Sequence, residues 1–274
     1  MAGIKRKHDD GMAEDKTSSS ETKSPFLPVF EGFRAQLDEH HDRRERIIKV
    51  SRDVTAQSKK IIFAVQRVRE LGKPIHPSIS KQTTPMYTTI RDLLQSIVPD
   101  LQGINAYRYR SNITGGIQEF MEAVVFQHYL ETQHIMKFEE AQAQLPEGIS
   151  LTYDDFALGL FDMTGELMRF AITYMATNGQ LPGGSRGAQS SQKSSILTDM
   201  QDLRAAFEGL DAGKVSSLSR DFENKLKTTR QSVEKVENGV YQMIVRGKER
   251  PKGWKPDTSS EDTGRGSGEA VESY

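Results

Sequence analysis

Apolar side chains recur every third or fourth residue over long stretches of this chain, the period of one helix face. No stretch shows the strict alternation and β-branched enrichment of a strand, so the pattern predicts an all-α fold of about six or seven helices. Phe30, Phe33, Leu37, Ile47, Ile48, Val54, Ile61, Ile62, Val65 and Val68 predict one long helix over 26–71, stopped by Gly72 and Pro74. Tyr87, Ile90, Leu93, Leu94 and Ile97 predict a second over 84–98, ended by Pro99. A third is expected over 102–134. Gly115-Gly116 interrupts it at about 1 kcal/mol per glycine relative to alanine, which calls for a kink or a close backbone contact there. A fourth, over 153–177, opens on a Thr152-x-x-Asp155 capping pattern, closes at Asn178-Gly179 and is apolar nearly all round. Two more are expected over 196–210 and 217–245, the last directing Phe222, Leu226, Val233, Val236, Val240 and Ile244 toward a partner surface.

Between and beyond these elements the composition changes. Residues 1–24 and 251–274 are polar and too poor in apolar groups to offset the entropy of ordering, so both read as disordered tails. The helical domain then spans 25–250, with a flexible Gly/Ser-rich linker over 180–195. A single core is the simplest partition of 274 residues. With no cysteine, disulfides, thiolate zinc sites and cysteine nucleophiles are excluded. The apolar runs are far too short to cross a bilayer. Lys5-Arg6-Lys7 is followed by no apolar stretch, so the amino end does not read as a secretory signal; it reads as either a nuclear address or a solvated charge cluster. A net charge of -1 argues against bulk capture of nucleic acid, so any such binding needs a local patch.

The candidate chemistry lies in carboxylates set among apolar groups. Glu119 and Glu122 share a helix face with Val125, Phe126 and Tyr129, and Asp162 and Glu166, four apart, are surrounded by Leu158, Phe161, Met163, Leu167 and Phe170. Acids in such surroundings are expected to be buried, and an unpaired buried carboxylate costs several kcal/mol unless a proton, a cationic side chain or a metal neutralises it. One reading is salt bridges to Arg108, Arg110 or Arg169. The other is that two helices pool four carboxylates to hold Mg²⁺ or Mn²⁺, hard cations that prefer oxygen. Such an ion activates water and polarises a phosphoryl oxygen, which points to a phosphodiester substrate. A di-iron bundle is disfavoured, because it requires two Glu-x-x-His pairs and the chain supplies one, Glu131 to His134. His40, His41 and His128 have no matching partner spacing, and no Gly-rich phosphate loop, nucleophile elbow or HExxH motif occurs. Upstream of the first acid pair, Tyr107, Arg108, Tyr109 and Arg110 alternate aromatic and basic groups. Guanidinium groups there suit phosphates and the rings suit stacked bases of single-stranded nucleic acid. The alternative is that the tyrosines serve the core.

Four segments resemble the translin superfamily: FRAQLDEHHDRRERIIKVSRDVTAQSKK at 33–60, ITGGIQEFMEAVVFQHYLE at 113–131, LGLFDMTGELMRFAI at 158–172 and KVENGVYQMIVRG at 235–247. The pairing of QEFMEAV with DMTGELMR is similar to its TRAX branch rather than to translin itself. The resemblance implies a helical subunit that joins translin in a hollow, roughly octameric endoribonuclease, active on single-stranded RNA and binding single-stranded DNA as well. It implies Mg²⁺-dependent catalytic acids at Glu119, Glu122, Asp162 and Glu166, and translin's basic nucleic-acid element near Tyr107 to Arg110. It also implies roles in removing passenger strands during RNA silencing and in trimming precursor-tRNA fragments, in cytoplasm and nucleus. The rival expectation is a non-catalytic nucleic-acid-binding scaffold that stabilises translin.

Overall fold

The computed structural model describes residues 24–183, 195–210 and 217–246. The predicted tails, most of the 180–195 linker and Lys5-Arg6-Lys7 therefore lie outside the described residues. Among the described residues eight α-helices run in order: α1 (Leu27–Val65), α2 (Pro77–Ser96), α3 (Ile104–Arg108), α4 (Arg110–Thr132), α5 (Phe138–Gln142), α6 (Tyr153–Asn178), α7 (Ile196–Glu208) and α8 (Ser217–Arg246), with a 3₁₀ turn at Val98–Leu101. Six are long, as the periodicity predicts; α3 and α5 are single-turn pieces that carry too few residues for a periodic signal. The chain divides into two compact units, Met1–Asp42 and Arg43–Tyr274. What is described of the first is the leading stretch of α1, on which Phe30, Phe33 and Leu37 are exposed. The second holds the helical bundle.

In that bundle α1 buries Ile47, Val50, Ser51, Val54, Ser58, Ile61, Ile62 and Val65, a seam spaced by threes and fours. Small groups on the seam admit a neighbour. Ser51 Oγ accepts the Gly116 N–H at 3.2 Å, and a Cβ at Gly116 would lie 2.8 Å from the Ser51 carbonyl oxygen. Gly116 therefore makes a close helix contact, and the glycine pair leaves α4 unbroken. The interruption falls instead at Tyr109, which turns into the core between α3 and α4.

α1 ends six residues earlier than predicted. Val68 N–H bonds to Val65 O at 3.0 Å in a tight turn, and Arg67 Nε donates to Ala64 O at 3.3 Å, satisfying a terminal carbonyl. α2 starts earlier than predicted, at Pro77, because His76 Nδ1 caps the Ser78 N–H at 3.3 Å and the helix continues through Pro85.

α6 packs against both α4 and α8. Thr152 caps it, its Oγ1 accepting the Asp155 N–H at 3.1 Å, and Gly179 ends it in the left-handed conformation at φ 65°. Buried Asp155 fastens that end to α4, accepting hydrogen bonds from Thr114 and from Gln118 Nε2 at 2.8 Å. One turn on, Gly159 lets α6 lie directly on α4: a Cβ there would meet Met121 Cβ at 2.8 Å and the Glu122 nitrogen at 3.1 Å. On the far side, Phe161 stacks on Phe207 of α7 at 3.9 Å and meets Phe222 of α8 edge-on at 5.7 Å.

Candidate active site

The close α4–α6 contact brings the two acid pairs together. Glu119 and Glu122 of α4 and Asp162 and Glu166 of α6 all line one open cleft of about 630 Å³. The end of α1 adds Lys59, Phe63 and Gln66 to its wall, α6 adds Gly165 and Arg169, and α8 adds Lys225 and Thr228. Gly165 sits between the α6 acids with open space beside it, so no side chain fills the cleft at that point.

The acids are not in a dry interior, as their apolar neighbours suggested. Their side chains are partly exposed, 29% for Glu119, 36% for Asp162 and 12% for Glu166. The reason is geometric: the apolar residues of α6 turn to α4, α7 and α8, and the acids occupy the remaining face, which opens to water.

Three of the four acids have partners. Lys59 Nζ stands 3.4 Å from Glu119, Arg169 Nη1 is 3.6 Å from Glu166, Gln66 Nε2 also donates to Glu166, and Lys225 Nζ pairs with Asp162. Of the arginines considered as partners from sequence, Arg169 does pair with an acid of the cleft. Arg110 lies 3.8 Å from Asp155 instead, and Arg108 Nη1 contacts Asn105 Oδ1 at 3.5 Å. Glu122 makes no hydrogen bond or ion pair among the described residues. Burial, followed by the negative charges of Asp162, Glu119 and Glu166, pushes its carboxyl up to about 8, against the opposing pull of Lys225.

The chemistry of this donor set fits a hard divalent cation: four carboxylates face one cleft, under like-charge pressure that a cation would relieve. Among the described residues, however, no three His, Asp or Glu side chains are grouped closely enough to close on a metal. In this arrangement Lys59, Lys225, Arg169 and Gln66 hold the acids. Lys59, Gln66 and Lys225 escaped sequence reasoning. Lys59 and Gln66 share a face of the α1 end with Ile62 and Phe63, but nothing local connects that face, or Lys225, to carboxylates dozens of residues away.

The aromatic–basic run divides. Tyr107 is 85% exposed and Arg110 partly exposed, whereas Tyr109 is 4% exposed. Tyr109 is therefore a core residue and offers no ring face for a base, because the α3–α4 break points it inward. None of Tyr107, Arg108, Tyr109 and Arg110 lines the cleft. Glu131 and His134 also diverge: Glu131 accepts from Gln127 Nε2 at 3.2 Å, while His134 Nδ1 lies 2.7 Å from Thr132 O.

Known proteins share both sequence and fold with this chain. Translin-associated protein X of Rattus norvegicus is 31% identical over 277 residues, covering 90% of this chain and 89% of its own. The translin-associated protein X homolog of Schizosaccharomyces pombe is 32% identical over 220 residues, covering 79% and 87%. Among solved structures, apo-NeC3PO superposes with a TM-score of 0.58 at 16% identity, over 80% of this chain and 97% of its own, and AfC3PO with 0.51 at 20% identity, over 80% and 98%. These two likenesses speak for the fold. The model of the Translin family matches residues 42–247, a span that contains all four acids of the cleft, and the chain belongs to the Translin family.

Proposed function

We propose that this chain is the acid-bearing catalytic subunit of a metal-dependent endoribonuclease, which assembles with a translin partner and cuts single-stranded RNA. The observation that carries this reading is the convergence of Glu119, Glu122, Asp162 and Glu166, from two helices, on one water-accessible cleft. The partnership is suggested by the name of the relatives, translin-associated protein X. Passenger strands and precursor-tRNA fragments are the substrates the family resemblance suggests.

The four acids would hold Mg²⁺ or Mn²⁺, which, when bound, activates water and polarises a phosphoryl oxygen. The water oxygen forms a new bond to phosphorus as the bond to the leaving ribose oxygen breaks. Glu122, the one acid of the four with no cationic side chain paired to it among the described residues, is the group suited to take the water's proton. Lys225, Lys59 and Arg169 provide positive charge at the cleft wall for the oxygens of the scissile phosphate.

Replacing Glu122→Gln or Asp162→Asn should lower RNA cleavage by the reconstituted complex about a hundredfold or more, with assembly intact. Unchanged turnover in an intact complex would overturn the site.

One observation favours a non-catalytic scaffold: Lys59, Lys225, Arg169 and Gln66 already satisfy three of the acids. Calorimetry separates the two readings. Mg²⁺ or Mn²⁺ binding that disappears in Glu122→Gln supports the enzyme, and the lack of any binding supports the scaffold.

A further inference from the structure

The turn that follows α1 lines a second cavity. Residues 67–70 and 73–79 border about 630 Å³, a volume equal to that of the acid-lined cleft. Its charge is opposite. Arg67, Arg69 and Lys73 line it together with His76, and the one carboxylate of the wall, Glu70, is paired with Lys73 Nζ at 2.5 Å. Arg67 is anchored, its Nε on Ala64 O at 3.3 Å and its Nη2 on Gln82. Arg69 is exposed and makes no hydrogen bond or ion pair among the described residues. The first residues of α2, the positive end of its dipole, belong to the same wall.

The two cavities adjoin along the chain. Gln66 lines the acid cleft and donates to Glu166, and Arg67, the next residue, lines the basic cavity. This juxtaposition answers a difficulty in the proposed function. A cleft whose three cations, Lys59, Arg169 and Lys225, are each paired with one of its four carboxylates has no net positive charge to draw in a polyanion, and single-strand binders take their affinity from a positive groove that follows the backbone. The 107–110 run does not border the cleft, and Tyr109 is buried. The basic cavity, by contrast, starts at Arg67, the residue that follows Gln66 of the cleft wall.

We infer that the 67–79 turn is a phosphate-binding subsite for single-stranded RNA, in which Arg69 and Lys73 hold backbone phosphates of the strand running off the acid cleft. The inference rests on the proposed nuclease reading for the identity of the strand, and its test separates the two.

The test uses the complex with its translin partner and a fluorescein-labelled RNA of about 20 nucleotides. Arg69→Glu/Lys73→Glu should raise the Kd in anisotropy titrations about tenfold or more and flatten the dependence of log Kd on log salt by about one to two charges. The loss in cleavage should fall on KM more than on kcat. Arg69→Gln/Lys73→Gln should give a smaller loss of the same kind, and Arg69→Lys/Lys73→Arg should restore affinity. Weakened binding in the charge-reversed variant, in a complex that never cuts RNA, would sink the nuclease reading and leave the subsite standing. Equal affinity and an equal salt slope, in a complex that does cut, would overturn the subsite. Loss of the partner on size exclusion, with RNA affinity unchanged, would likewise overturn it and assign the cavity to an acidic protein segment.

Discussion

Glu122 sits in the field of three other carboxylates with a single opposing charge, Lys225, among the causes that set its proton affinity. Without a bound cation its carboxyl titrates near 8, whereas the unfolded chain titrates it near 4.5. The folded state therefore binds the extra proton between those values. Its stabilising contribution is complete below about 4.5 and is lost as pH rises through about 8. Urea unfolding of the metal-free protein across that window should show stability declining with pH more steeply than in Glu122→Gln, which has no proton to lose there. Parallel curves for the two proteins would show that Glu122 is an ordinary exposed acid. The spacing of three and four residues within each acid pair was readable from the chain, but this shift was not. It depends on how closely α4 and α6 approach and on how much water reaches the cleft.

The two adjacent glycines of α4 show how an element's neighbours decide its tolerance. A Cβ at Gly115 meets nothing within 4 Å, while one at Gly116 lies 2.8 Å from backbone oxygen of α1. Gly115→Ala should stabilise the protein by up to about 1 kcal/mol, the helix propensity gained. Gly116→Ala gains the same propensity but forces α1 and α4 apart, and should cost about 1 to 3 kcal/mol net. Denaturant midpoints of the two variants should thus move in opposite directions, and a shift of both in one direction would contradict the helix contact described. Local signals located the other ends well. Thr152 and Gly179 bound α6 as their chemistry predicts. The end of α1 and the start of α2 shifted because the Arg67 side chain satisfies a carbonyl at the first, and the His76 cap together with Pro77 opens the second.

Across the assembled molecule the proposed partner needs a surface. In the first unit Phe26, Phe30, Phe33 and Leu37 are spaced four, three and four apart and are all more than half exposed. That is the spacing of a helix seam that packs on another helix. The Phe30 and Phe33 rings meet edge-on at 6.2 Å. Phe30→Glu/Phe33→Glu should leave the thermal stability of the isolated chain within about 0.5 kcal/mol, as surface changes do, yet abolish co-elution with translin on size exclusion. Undisturbed co-elution would place the partner on another face.

Helix class, the order of the long helices, the caps of α6 and the pairing of acids within each helix all follow from interactions spanning about four residues, so a single chain read locally contains them. The meeting of α4 with α6, the lysines and glutamine that cover the acids and the inward turn of Tyr109 do not. These depend on close approaches between residues far apart in sequence, Gly116 on Ser51 and Gly159 on Met121. Which small residue meets which surface is settled when the helices pack, and no local pattern records it.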